Sequence, residues 1–338
     1  MEQVLGLIIL SAFISGILLV PFIDFLYRIK LRRQHQVTKD PFNQKTPLFD
    51  KYNSWKVGTP FGGGILIILV VTILTFWAYG ILNVPVKGWE LFVLFFSFIS
   101  FGILGLYDDL KKLVGGTKSG FFGLRLRHKL IIQTILALII ASVFYFKLSY
   151  TFVFIHSIGT VPLGILFIPF AAFVLVSFVN AFNITDGLDG LTSGLLLISL
   201  VAFLAISAQQ LDQGLGIFIA VLLGSVGAFL YFNIYKARLW LGDVGSLSLG
   251  AAFAVIGLLS GKTLVLVIIG GVFVVEIASS LIQMVSKRFW KKRVFAAAPF
   301  HLYLQQRGWD EPKIVMRAWL IGFILAVIGT YLALITKG

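Results

Sequence analysis

The chain has 338 residues, of which 59% are hydrophobic and 12% charged, about half the charge share of a soluble globular chain. This composition excludes the two soluble domains that length alone suggests, and disorder and collagen-like repeats with them; the absence of cysteine excludes disulfide scaffolds, thiolate metal sites and CxxC redox centres. The net charge of +14 points to nucleic acid or to a membrane surface according to where the basic residues fall.

Ten apolar stretches run along the chain, at about 3–27, 62–82, 89–107, 130–147, 163–182, 190–208, 214–232, 241–260, 263–285 and 316–336. Each is long enough to cross a bilayer core as a helix of ~20 residues. Lipid offers the backbone no hydrogen-bond partner, and the sequence has no alternating ten-residue pattern, so the stretches read as helices rather than barrel strands. The expected fold is an all-α polytopic membrane protein, a single integral domain over 1–338 with no linker or fixed-period repeat dividing it. Met1-Glu2-Gln3 carries no basic n-region and no small-residue cleavage site precedes Pro21, so the first stretch is expected to be a retained span.

Lysine and arginine concentrate in alternate loops. Of the 28, 24 lie after spans 1, 3, 7 and 9, while Lys87, Lys147, Lys262 and Lys337 lie on the other side. The positive-inside rule then puts the loops leaving odd-numbered spans in the cytoplasm and both termini outside.

Five of the 14 acidic residues, Asp108, Asp109, Asp186, Asp189 and Asp243, fall at the cytoplasmic edges of apolar stretches. Carboxylates near hydrocarbon cost up to ~2.5–3.5 kcal/mol each at a span centre and mark functional sites by default. Asp108-Asp109 closes span 3 in GLYDDLKKL, where the helix dipole disfavours anions; a surface pair with Lys111 or Lys112, a divalent metal or phosphate chemistry would each answer that. Asp186 and Asp189 in NITDGLDGL are three residues apart, which puts them on one face at the start of span 6; simple capping and phosphate binding are both open. Asp243 in LGDVGSLSLG is flanked by Gly242 and Gly245, which permit close backbone approach, and with Asn183 it would suffice for a hard cation. Glu276 lies inside span 9 and needs a partner. The basic run from Lys287 to Arg293 reads as a headgroup anchor, and a lone His301 is more often structural than catalytic. The glycines of KVGTPFGGG do not make a Walker loop, and helix packing explains them as well as phosphate binding does.

On KVGTPFGGG, GLYDDLKKL with GLRLRHKL, VNAFNITDGLDGL, YFNIYKARLWLGDVGSLSLG, EIASSLIQ and APFHLYLQQRGWDEPKIVMRAWLIG, in order from residue 56 to residue 322, the chain resembles the polyprenyl-phosphate N-acetylhexosamine-1-phosphate transferase family. The resemblance implies a ten-span fold with a cytoplasmic cleft and a Mg2+-dependent phosphoglycosyl transfer. In the muramoyl-peptide branch the donor is UDP-N-acetylmuramoyl-pentapeptide, the acceptor undecaprenyl phosphate and the leaving group UMP, and the product opens peptidoglycan synthesis. By motif position it implies catalytic roles for Asp108, Asp109, Asp243 and His301. Asp243 and Asn183 match the magnesium ligands. Lys56, Asp186, Asp189, Asn233, Trp240 and Gln283 match the uridine-nucleotide pocket, and Ser246 follows the metal aspartate. Two departures stand out: Phe61 replaces a threonine, and Phe300-His301-Leu302-Tyr303 keeps the first of three histidines. Tyr303 can donate a hydrogen bond but cannot supply the positive charge of an imidazolium.

Direct attack by the lipid phosphate and a two-step route through an aspartyl-phosphate are both chemically open. The rival readings are a transferase taking UDP-N-acetylglucosamine, an inactive homologue, and a transporter or flippase, since intramembrane carboxylates also mark ion paths. Against transport, all five aspartates cluster on one side rather than near the midplane. A two-fold homodimer would be the commonest oligomer.

Overall fold

The computed structural model describes residues 2–32, 50–52, 54–85, 87–114, 123–155 and 159–335; Lys337 and most of the first basic loop lie outside the described residues. Twelve helices are seen there: α1 (Glu2–Arg28), α2 (Gly63–Leu82), α3 (Gly88–Val114), α4 (Leu126–Phe146), α5 (Phe167–Thr185), α6 (Leu191–Gln209), α7 (Gln213–Asn233), α8 (Gly242–Leu259), α9 (Thr263–Ile269), α10 (Gly271–Phe289), α11 (Phe300–Gln306) and α12 (Glu311–Ile335). Nine are each long and apolar enough to cross a membrane, and α9 with α10 forms a further pair bent by 81°.

The all-helical, about ten-span expectation therefore holds, with one correction. The stretch at 263–285 is not a straight span: it breaks at Gly270, where the glycine pair 270–271 offers no side chain to hold the turn straight. Phe178 and the Leu266 carbonyl lie where a Cβ at Gly270 would sit. The loop between α4 and α5 also holds an antiparallel hairpin, β1 (Phe152–Ile155) with β2 (Gly159–Pro162). That pairing was not read from the sequence.

Helix α8 is the axis of the bundle, with 83% of its most apolar window buried against 22% for α1 and α12. Its glycines, serines and alanines allow neighbouring backbones close in, the usual basis of helix packing in lipid. A Cβ on Gly64 of α2 would lie 2.2 Å from the Gly245 Cα, and one on Gly250 would lie 2.8 Å from the Phe178 carbonyl of α5. On α3, a Cβ on Gly105 would lie 2.2 Å from the Asp243 carbonyl oxygen. Ser248 Oγ donates to the Phe98 carbonyl at 2.8 Å, a second tie between α8 and α3. Below these contacts Phe253 packs on Phe178, Phe182 and Phe203, and Phe182 stacks on Phe273 with centroids 4.0 Å apart.

The Gly105 contact sits one turn before Asp108 and Asp109, so it sets how near those carboxylates come to Asp243. In an open helix, Gly→Ala gains up to about 1 kcal/mol of helix propensity; overpacking at a backbone contact costs about 1–3 kcal/mol. Gly80→Ala, with open space at its Cβ, should leave the thermal midpoint of the detergent-solubilised protein unchanged or raised. Gly105→Ala should lower it by several degrees, and equal midpoints would show that the α3–α8 approach does not need glycine.

Candidate active site

One end of the bundle gathers the end of α3, the starts of α4, α6, α8 and α12, the ends of α5 and α7, and the middle of α10. Helix α3 runs on to Val114, so Asp108 and Asp109 lie more than a turn inside it rather than at its C-terminus, and neighbouring side chains rather than the helix dipole decide their environment. Asp108 and Asp109 are both 3% exposed. Lys112, one turn on, reaches Asp243 at 2.8 Å, Asp109 at 3.2 Å and Asp108 at 3.5 Å. Lys129, in the first turn of α4, reaches Asp243 at 2.5 Å and Asp108 at 3.1 Å. The pairing that sequence left as a surface option for Lys112 is thus a partly buried network of three carboxylates and two ammoniums. Asp109 Oδ2 also accepts from the Val244 backbone N–H at 3.1 Å, using a donor that the start of α8 leaves unpaired. The Leu124 N–H donates to Asp108.

Asn183, near the end of α5, donates to Asp243 at 3.2 Å and to Ser246 Oγ at 2.9 Å. Exchanging its amide O and N, which are indistinguishable by shape, would turn an oxygen to the same place. Asp243, Asn183, Asp108 and Asp109 all offer oxygen, the donor type that hard divalent cations take. Among the described residues no group of three or more His, Cys, Asp or Glu is poised as a ready-made cage; the two ammoniums stand between the carboxylates.

The stretch from Asp186 to Gly190 is a turn, not the first turn of a helix. Asp186 is the C-cap of α5, with its N–H on the Phe182 carbonyl, and Gly190 precedes α6 with φ 77°. Asp186 and Asp189 therefore do not share a helix face, and Asp186 caps the end of α5 rather than the start of α6. Asp189 is buried against Lys56 at 3.1 Å and accepts from the Ala237 N–H at 2.9 Å and from Trp240 Nε1 at 3.2 Å. Lys56, 2% exposed, also pairs with Glu311 at 2.6 Å and donates to the Gly187 carbonyl at 3.2 Å. Glu311 accepts from the Asp189 N–H at 2.6 Å. Its part in the site was missed in the sequence; the Asp310-Glu311 pair at the head of an apolar span was the available signal.

Asn233 is committed to bracing: its Oδ1 accepts from Gly190 N–H and Ser193 Oγ, and its Nδ2 donates to the Leu239 carbonyl. Gln283 likewise holds the loop after α10, through the N–H groups of Val294 and Phe295 and the Phe295 carbonyl. The partner that Glu276 needs is His301, with Nδ1 at 3.0 Å and the His301 backbone N–H at 3.1 Å. His301 Nε2 faces the 186–190 turn, since a Cβ on Gly187 would lie 2.6 Å from it. The structure thus brings together one partly buried and one buried ionic network and an oriented imidazole, with Asp186 near both.

The family model for glycosyl transferase family 4 matches residues 91–261, and the chain belongs to that family: it is a membrane-embedded phosphoglycosyl transferase. It is similar to the phospho-N-acetylmuramoyl-pentapeptide-transferase of Geobacillus sp. (strain WCH70), with 37% identity over 98% of each chain. The protein of the same name from Bacillus subtilis (strain 168) is 35% identical over 98% of each. That from Borrelia turicatae (strain 91E135) is 34% identical over 94% of this chain and 91% of its own.

Burial, and then the nearby charge of Asp243, hold the Asp186 carboxyl well above its usual 3.8, with Lys56 pulling the other way. A carboxyl whose folded pKa exceeds its unfolded one binds more protons when folded, so its contribution to stability falls as pH rises from about 4 through the folded pKa. In thermal melts across pH, Asp186→Asn should remove that downward slope; profiles of the same shape for both proteins would show that Asp186 ionises as freely folded as unfolded.

Proposed function

We propose that this protein transfers phospho-N-acetylmuramoyl-pentapeptide from its UDP-linked donor to undecaprenyl phosphate, releasing UMP and forming the first lipid-linked peptidoglycan precursor. The observation that carries the reading is the meeting of Asp108, Asp109 and Asp243 with Lys112 and Lys129 at one bundle end, in a chain whose near-full-length relatives bear the transferase name. Phosphoryl transfer asks chiefly for positioning and for charge neutralisation around the phosphates. This site offers both.

Asp243 and Asn183 would hold Mg2+, with Ser246 on the amide of Asn183. When bound, Mg2+ offsets charge on the donor diphosphate and orients it. Lys56, Asp186, Asp189 and Trp240 form the nucleotide side, where Lys56 is fixed by its carboxylate partners and the indole by Asp189. Asn233 and Gln283 shape that side by holding its loops. His301, kept in one orientation by Glu276, presents Nε2 to the donor at the 186–190 turn. A phosphate monoester is mostly dianionic at neutral pH, so Asp108 takes the proton where one remains and, with Asp109, keeps Lys112 and Lys129 placed for the acceptor phosphate. An acceptor oxygen attacks the β-phosphorus, the bond to the α-phosphate bridging oxygen breaks, and UMP carries that oxygen away.

The protein is a single integral domain of the bacterial inner membrane, working on the cytoplasmic face with both termini outside. Supporting this, the loops that carry most of the Lys and Arg join the helices at the end where the carboxylates gather.

UMP release by the detergent-solubilised protein with Mg2+, undecaprenyl phosphate and UDP-N-acetylmuramoyl-pentapeptide should be robust. Asp243→Asn should lower it by about 10²-fold or more, the scale on which a single electrostatic group at a transition state acts. Turnover with UDP-N-acetylglucosamine alone would move the chain to the sibling specificity, and full activity of Asp243→Asn would remove that residue from the metal role.

A further inference from the structure

Helix α11 has two working faces. One carries His301, which is 2% exposed and turned to Glu276 and the 186–190 turn. Phe300 and Tyr303 lie on another, with their rings stacked 6.2 Å apart. They line a cavity of about 160 Å³ with Ser279 of α10 and with Phe295 and Ala297 of the connecting loop. The walls are almost wholly apolar, and the volume falls below the ~300 Å³ at which small-molecule pockets begin. It suits one small apolar side chain and is too small for a nucleotide.

Against Tyr303, one of the lining residues, stands a cation. Arg307 donates through Nε to the Tyr303 hydroxyl at 3.1 Å, and its guanidinium lies 5.2 Å from the centroid of the Tyr303 ring. Arg307 is exposed, and among the described residues no carboxylate pairs with it. Tyr303, which carries no charge itself, therefore holds a fixed positive group beside the cavity, and a guanidinium so held recognises a carboxylate with directional hydrogen bonds.

We propose that the cavity and Arg307 form a subsite for the peptide arm of the donor, taking an apolar side chain into the cavity and the C-terminal carboxylate onto the guanidinium. The inference rests on the donor assignment above. Reach agrees with it: five extended residues span up to about 17 Å, enough to pass from a sugar at His301 around a helix ~10–12 Å across. Tyr303 and Arg307 are then specificity determinants for a charged peptide, acting at a distance from the reacting phosphates.

Initial rates of UMP release test this with three donors: UDP-N-acetylmuramoyl-pentapeptide, the same compound with a C-terminal carboxamide, and UDP-N-acetylmuramic acid without peptide. Arg307→Ala should raise KM for the first about five- to tenfold relative to wild type, the scale of one exposed charge-assisted hydrogen bond. Arg307→Lys should recover part of the loss, and Tyr303→Phe should show a smaller rise. With the carboxamide or peptide-free donor the ratio of variant to wild-type KM should fall to about one. The same ratio on all three donors, no change on any, or a raised KM for undecaprenyl phosphate instead would overturn the proposal; the last would assign Arg307 to a lipid headgroup. Should wild type release no UMP, the transferase reading fails, and calorimetric titration of the pentapeptide donor decides the subsite separately. Weaker binding by Arg307→Ala would support it, and equal affinities would overturn it.

Discussion

Three carboxylates and two ammoniums occupy the point where α3, α4 and α8 meet, and much of the molecule is arranged so that they can. An isolated charge in a low-dielectric interior is prohibitively costly, and even a buried pair roughly breaks even against apolar packing unless its geometry is good. Here each lysine spans at least two aspartates, and a backbone N–H at the start of α8 supports Asp109. Glycine at 105 lets α3 come close enough for the network to form.

The second network follows the same logic with different chemistry. Lys56 comes from a short turn ahead of α2 and is sealed between Asp189 and Glu311, which ties the first loop, the α5–α6 turn and the start of α12 into one wall. Such a tie specifies geometry more than it adds stability, because the desolvation cost offsets most of the attraction. The residues around it divide by what their polar atoms already do. Asn233 and Gln283 spend theirs on loops, whereas His301 has one nitrogen anchored and the other turned to the 186–190 turn. That division separates residues whose polar atoms are spent on the fold from one that keeps a polar atom free of it.

The bend between α9 and α10 serves the same end. A straight span would carry α10, with Glu276 and Gln283 on it, onward along the axis of α9; the turn at Gly270 instead lays α10 against α5 and α11, where Glu276 meets His301. Bonds between an element and its distant partners of this kind fix α11, only seven residues long, which has little helical stability of its own.

The sequence by itself determined the class of the molecule, because apolar runs of span length have only one common solution in lipid and buried acids always demand an explanation. It also drew attention to Asp108, Asp109 and Asp243 as acids at span edges and to Asn183 beside them, while His301 stood out only through its motif's resemblance. It could not show that α3 runs past its aspartates, that residues 186–190 form a turn, that the ninth apolar stretch is broken, or that two short strands pair beyond α4. Those outcomes depend on which neighbours each segment meets. Only tertiary structure decided that Lys112 bridges three aspartates, that Glu311 completes the Lys56 pair, and that Arg307 is fixed by Tyr303. The physical reason is that a charge's partner is set by distance in space, and between Lys56 and Glu311 the chain itself specifies none.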